Sequence, residues 1–280
     1  MAMDMVMAGM AMVMEKEPGN NPGSFDIASG GLQRHTEGVQ CKTEEALLNI
    51  RRIVMDIEHY YIERGEGEVL VLLHGNGEDA TYFESQINYF SKKYRVIALD
   101  TRGHGKTARG EAPFTIRQFS EDLYGFLNKK GIDNVNLLGF SDGGNIAMIF
   151  AMMHPEKVKK LILNGANLDG RGVKILVQFP IVLAYYLTSM FIKKSAKARK
   201  KAEMLGLMVK DPNVKIQELS KISMPTLVIA GNKDMIKDSH TKLIGKSIPN
   251  AKTVIIKGDH FVANKRPEAF NQEVAQFLDT

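Results

Sequence analysis

Residues at four places along this chain can together break an acyl bond. Gly139-Phe140-Ser141-Asp142-Gly143-Gly144 sets a serine among glycines. A serine hydroxyl is a weak nucleophile near neutral pH, and it attacks a carbonyl only beside a general base that a third group orients. Downstream, Asn232-Lys233-Asp234 offers a carboxylate and Asp259-His260 an imidazole, giving the order Ser, Asp, His. Upstream, His74-Gly75-Asn76-Gly77 is a tight turn whose backbone N–H groups can meet the charge that develops on a carbonyl oxygen. With the residue after the serine as second donor, the expected oxyanion hole is the backbone amides of Asn76 and Asp142.

These groups need elements that hold them. Residues 135–138 read as an apolar strand running into Gly-x-Ser-x-Gly and then into a helical pattern. That is the context of a nucleophile elbow, a strained strand-to-helix turn that lifts the serine off the sheet. Residues 225–230 and 252–256 read as strands whose following loops present Asp234 and His260 at the edge where open α/β sheets place their chemistry. Of the seven histidines, only His260 follows a strand downstream of a suitable acid. His59 lies in an early strand, His154 closes a helix before Pro155, and His240 sits in a helical pattern. His74 and His104 lie in glycine-rich loops, and His35 in an irregular N-terminal segment. Asp169 and, less well placed, Asp238 are the alternative acids.

Strand patterns at 55–63, 68–73, 94–99, 134–138 and 158–163 alternate with helical patterns near 81–92 and 115–130. This predicts an α/β fold, a mostly parallel sheet with helices on both faces. Arg64-Gly65-Glu66-Gly67 reads as a hairpin turn between the first two strands. The alternation stops between 167 and 222 and then resumes. The expected division is therefore a core of 51–167 and 222–280, an inserted helical segment at 168–221, and an N-terminal extension at 1–50. The extension is methionine-rich to Met14 and then rich in Pro, Gly and Asn. It lacks the basic start of a secretory signal and reads as a flexible extension or an upstream start, with a short helix expected at 43–54.

Within the insertion, residues 175–192 are nearly all apolar, but Gln178, Pro180 and several hydroxyl residues argue against a membrane span. The expectation is a helix packed over the serine and lining an apolar pocket, with membrane docking as the lesser alternative. Six of the nine residues at 193–201 are Lys or Arg, which reads first as a solvated helix face. Hydrophobic content of 44% and charge of 25% are those of an ordinary globular protein. With a net charge of only +5 beside this acyl-transfer pattern, nucleic acid is not the expected partner. The single cysteine, Cys41, excludes an internal disulfide and fits a reducing, cytoplasmic compartment. No metal-ligand spacing, phosphate loop or dinucleotide fingerprint is present, so neither metal nor cofactor is expected.

With these motifs assembled, residues 55–280 resemble the α/β-hydrolase fold superfamily. Asp100-Thr101-Arg102-Gly103-His104-Gly105-Lys106-Thr107 is similar to the Asp-x-Arg-Gly-His-Gly-x-Ser segment of its microbial ester-hydrolase branch, with Thr107 in place of serine. Asp100, Arg102 and His104 are expected to shape that loop. The resemblance implies a serine esterase with catalytic Ser141, Asp234 and His260, a helical cap at 168–221, and a small-molecule ester or acyl substrate with an apolar portion. Dehalogenases and epoxide hydrolases of this fold use an aspartate nucleophile, so Ser141 argues against those chemistries. The elbow is also similar to the Gly-Trp-Ser-Asp-Gly-Gly of valacyclovir hydrolase-like amino-acid ester hydrolases, with Phe140 in place of tryptophan. There the acid after the serine helps to recognise a substrate ammonium, which makes Asp142 a candidate substrate-binding residue; holding its own loop is the alternative. Relatives with the same triad hydrolyse carbon–carbon bonds of β-diketones, and others show haloperoxidase or perhydrolase activity. A ligand-binding protein without turnover is the remaining alternative.

Overall fold

The computed structural model describes residues 57–280. Cys41, the methionine-rich run and the helix expected at 43–54 lie outside the described residues.

Apolar strands with punctuating turns build one sheet of seven strands: β1 Tyr61–Arg64, β2 Val69–Leu73, β3 Arg95–Leu99, β4 Val135–Phe140, β5 Val158–Asn164, β6 Thr226–Gly231 and β7 Ala251–Ile256. Their order across the sheet is β1-β3-β2-β4-β5-β6-β7. All neighbouring pairs are parallel except β1 on β3. Residues along β2 show why its sequence is almost uniformly aliphatic. Val71 and Leu73 enter the apolar layer on one face, while Leu70 and Leu72 enter the layer on the other. A strand buried on both faces has no solvent side on which to place polar residues.

Helices cover both faces. Glu84–Phe90 (α1) follows a 3-10 turn at Ala80–Phe83, and Ile116–Lys129 (α2) starts with the Thr115 side chain accepting from the Gln118 N–H. Asp142–Met153 (α3) is buried along nearly its whole length beneath β4 and β5. Asp238–Ser247 (α6), Val262–Lys265 (α7) and Pro267–Leu278 (α8) complete the layers. Between β5 and β6 the chain leaves the sheet and forms Ile175–Ser189 (α4) and Ala196–Lys210 (α5).

Two expectations are corrected. The first two strands do not form a hairpin: β1 pairs antiparallel with β3, Tyr61 opposite Leu99 and Arg64 opposite Val96. Gly65, at a φ of 79°, sits so close to the carbonyls of Ser91 and Tyr94 that a Cβ would overlap them. The turn therefore drops the chain past β3, leaving β2 between two parallel neighbours. The second correction concerns the apolar helix. α4 does not bury its apolar side chains over the serine: Leu176 is 89% exposed, Phe179 64% and Tyr186 63%. Of its residues only Gln178 is fully buried, donating to the Met208 carbonyl of α5 at 3.1 Å. α4 packs on α5, and α5 in turn meets the loops at the carboxyl edge of the sheet, as the next section shows.

Candidate active site

The elbow is a packing device before it is a chemical one. Ser141 follows β4 with φ 54° and ψ −118°, a conformation that L-residues rarely adopt and that only a strongly constrained turn maintains. The constraint is visible in the glycines around it. A Cβ on Gly143 would fall on the Leu73 carbonyl oxygen of β2, and one on Gly139 would fall on the Gly143 carbonyl. The Ser141 N–H donates to the Asn164 carbonyl of β5 at 2.8 Å, fixing the turn between two strands.

Ser141, His260 and Asp234 meet at this edge. His260 Nε2 lies 3.0 Å from Ser141 Oγ, and His260 Nδ1 lies 2.7 Å from Asp234 Oδ1. A carboxylate only accepts, so Nδ1–H donates to Asp234 and Nε2 is left to accept from the serine hydroxyl. Asp234 and His260 are buried, the half-open Ser141 being the outward member. Asp234 Oδ1 also accepts from the Ile236 N–H at 2.9 Å, and Ile236 bridges to Val173 at the start of the insertion. Gly165 backs the imidazole at a φ of 62°, where a Cβ would press on the His260 ring.

The alternative acids are engaged elsewhere. Asp169 accepts from the N–H and guanidinium of Arg171, and Asp238 pairs with Lys242 at 2.7 Å. His240 accepts from the Leu168 N–H at 3.0 Å. His59 bonds the Asp100 carbonyl, and His154 stacks on Tyr124.

The expected oxyanion donors lie in the turn after β2 and at the start of α3. Asp142 is the first residue of α3, where the backbone N–H has no carbonyl a turn behind it and the helix dipole favours negative charge. The Asn76 N–H donates to no group among the described residues. Its turn is held from outside. His74 Nε2 accepts from the Thr101 N–H at 3.1 Å, and Asp100 accepts from the amides of Ala80 and Lys106 at 2.7 Å each. Arg102 clamps Asp122 of α2 with two 2.7 Å bonds. Asp100, Arg102 and His104 thus build the loop scaffold.

α5 lies against this loop cluster. The Asn76 side-chain amide donates to the Met204 carbonyl at 2.7 Å, and Glu203 pairs with Arg109 at 2.8 Å.

Two carboxyls near the serine are pushed above their ordinary range. Burial raises Asp142 to about 6, with the Asn145 amide offsetting it only in part. Its Oδ1 takes a 3.3 Å bond from Asn145, and its Oδ2 is buried with no hydrogen-bond partner. Burial likewise raises Glu78 to about 7, although its Oε2 accepts from the Gly75 N–H at 3.1 Å. The sequence reading passed over Glu78, although a carboxylate three residues after the first glycine of a tight turn is well spaced to cap the turn's own amide. It also passed over Tyr82, whose ring stacks on Phe140 at 4.5 Å, with Phe140 in turn 4.9 Å from the His260 ring.

A family model described as the alpha/beta hydrolase fold matches residues 68–190. The chain is 39% identical over 107 residues to the (E)-2-((N-methylformamido)methylene)succinate hydrolase of Acinetobacter baylyi, a match spanning 38% of this chain and 41% of that protein. It is 28% identical to the 2-hydroxy-6-oxononadienedioate/2-hydroxy-6-oxononatrienedioate hydrolase of Burkholderia vietnamiensis, across 87% of this chain and 97% of that one. The crystal structure of the enol-lactonase from Burkholderia xenovorans is similar with a TM-score of 0.68 at 23% identity, covering 80% of this chain and 97% of that one. Sheet order, elbow and family match agree: the chain has the α/β-hydrolase fold.

Proposed function

We propose that the chain is a serine hydrolase that cleaves carboxylic esters or related acyl compounds through a covalent acyl-enzyme. The observation that carries this reading is the continuous chain of contacts from Ser141 Oγ to His260 Nε2 and from His260 Nδ1 to Asp234. Ser141 Oγ bonds to the substrate carbonyl carbon while His260 Nε2 takes its proton. The carbonyl oxygen becomes an oxyanion facing the N–H groups of Asn76 and Asp142, and Asp234 holds the imidazolium. Collapse of the intermediate breaks the bond to the leaving alcohol, which takes the proton from His260. Water, deprotonated by the same nitrogen, then adds to the acyl-enzyme and releases the acid and Ser141.

The insertion acts as the cap of this site, with α5 as the helix that meets the substrate. The Asn76 bond to Met204 supports that choice, and an apolar acyl or alcohol group would lie under this part of α5. Asp142 is the second recognition element. A buried carboxyl with one oxygen unpartnered beside the nucleophile suits a substrate ammonium.

The test is burst and steady-state hydrolysis of p-nitrophenyl esters from acetate to laurate, with a valyl ester beside them. Turnover lost in Ser141→Ala, with a chain-length optimum, supports the ester reading, and preference for the valyl ester lost in Asp142→Asn supports the ammonium role. Full activity in Ser141→Ala sinks the mechanism.

A second reading is hydrolysis of a carbon–carbon bond next to a carbonyl. The similarity to the Burkholderia vietnamiensis hydrolase along nearly its whole length favours it. Serine-dependent cleavage of a vinylogous β-diketone, with no burst on any ester, would select it over the first.

A further inference from the structure

The outer side of α4 is the least expected surface on this molecule. Ile175, Leu176, Phe179, Leu183, Tyr186 and Met190 recur at helical spacing and are all exposed. The inner side is held: Gln178 bonds Met208 of α5, and Ile181 and Val182 are half-buried. An apolar face of this extent on the outside of a protein marks a contact surface.

What borders it identifies the partner. The chain runs directly from α4 into Lys193, Lys194, Lys197, Arg199, Lys200 and Lys201, all exposed. From residue 170 to residue 202 it contains no Asp or Glu. A second copy of this chain, meeting the patch through a two-fold axis, would set these cations against themselves. A nucleic acid would satisfy the cations and leave the apolar face in water. A bilayer with anionic headgroups satisfies both, taking the apolar side chains among its acyl chains and the cations at its phosphates. α4 has 15 residues, about 22 Å at the α-helical rise, short of the roughly 30 Å hydrocarbon core. Among the described residues no helix is long and apolar enough to cross a membrane, so the contact is one of lying on the surface.

We propose that α4 and the basic run after it form a docking surface for an anionic lipid bilayer. Docking there would set the insertion, and with it the approach to Ser141, against the lipid.

The test is sedimentation of the full chain with vesicles of phosphatidylcholine alone and of phosphatidylcholine mixed with phosphatidylglycerol. The expected partition into the mixed vesicles is at least about tenfold higher, and it falls at high salt as the charges are screened. Two triple variants separate the contributions: Leu176→Ser, Phe179→Ser and Met190→Ser together, and Lys193→Gln, Lys194→Gln and Lys197→Gln together. Each is expected to lower partition by about tenfold or more with an unchanged melting curve, since all six positions are exposed. The sequence contains no tryptophan, so Phe179→Trp supplies an unambiguous fluorescence probe whose emission should shift to the blue on adding the mixed vesicles. Absence of sedimentation with the mixed vesicles overturns the proposal. Binding that ignores the apolar triple, or an unshifted Trp probe, also overturns it and leaves charge adsorption alone. A dimer in the absence of lipid that the apolar triple dissociates would assign the face to a second copy instead. Sedimentation reads binding without turnover, so the result stands apart from the ester reading.

Discussion

The Asn76 side-chain amide donates to the Met204 carbonyl at 2.7 Å, joining the turn that carries an expected oxyanion donor to the α5 helix. In the proposed mechanism one residue serves two ends: its backbone N–H meets the oxyanion, while its side chain bonds the insertion. Asn76→Ala keeps the first and loses the second. The expected outcome is a KM raised about 2–10-fold, the worth of one hydrogen bond, with kcat changed less. Steady-state kinetics on a p-nitrophenyl ester checks this; an equal fall in kcat at constant KM would show that the side chain acts in the transition state.

Asp234→Asn preserves the shape of the buried acid but not its charge. An amide nitrogen facing His260 Nδ1 favours the wrong tautomer and leaves the imidazolium without a counter-charge. A fall in kcat of about 10⁴-fold is expected, with a melting temperature close to wild type. A loss of less than tenfold would point to another acid and reopen the roles of Asp169 and Asp238.

Asp142 also bears on stability. Burial holds its carboxyl at about 6, against 3.8 for the free side chain, so the native state keeps a proton that the unfolded chain releases. Folding therefore binds a proton between these values, and stability falls as pH rises through this window. An asparagine does not titrate. Asp142→Asn should stabilise the protein at pH 8 by about 2–3 kcal/mol and change little at pH 4. Urea unfolding at the two pH values reads the difference; an equal effect at both would mean that the carboxyl does not titrate there.

Arg102 and Asp122 form a bidentate pair with both side chains essentially inaccessible to water. Arg102→Met leaves Asp122 charged, buried and short of partners, and should cost about 3–5 kcal/mol. Thermal melting measures it. The double variant with Asp122→Leu should recover much of the loss, because the penalty comes from the stranded charge rather than from the missing attraction.

The elements that carry the site were legible because their signals are local. A strand, Gly-x-Ser-x-Gly and a helical pattern occupy consecutive residues, and the chain order of Ser141, Asp234 and His260 follows from which strands have loops at one edge. What was not legible is set by distant parts of the chain. β1 chooses β3 over β2 because Gly65 fits beneath the carbonyls of Ser91 and Tyr94, about thirty residues away in sequence. An apolar run such as 175–192 has the same composition whether it faces a core or solvent, and its neighbours in the fold decide. Glu78 takes its raised pKa from burial, which composition does not reveal.

The overlap that a Cβ at Gly143 would make with the β2 backbone has an evolutionary reading. The glycines of the elbow are required by the sheet, whereas the proposed mechanism is what requires Ser141, Asp234 and His260 together. A descendant that abandoned catalysis would drift first at those three side chains and keep the glycines intact. A surviving Gly-x-x-x-Gly frame in a paralogue is therefore a record of ancestry, and the three side chains between and beyond it are the record of use.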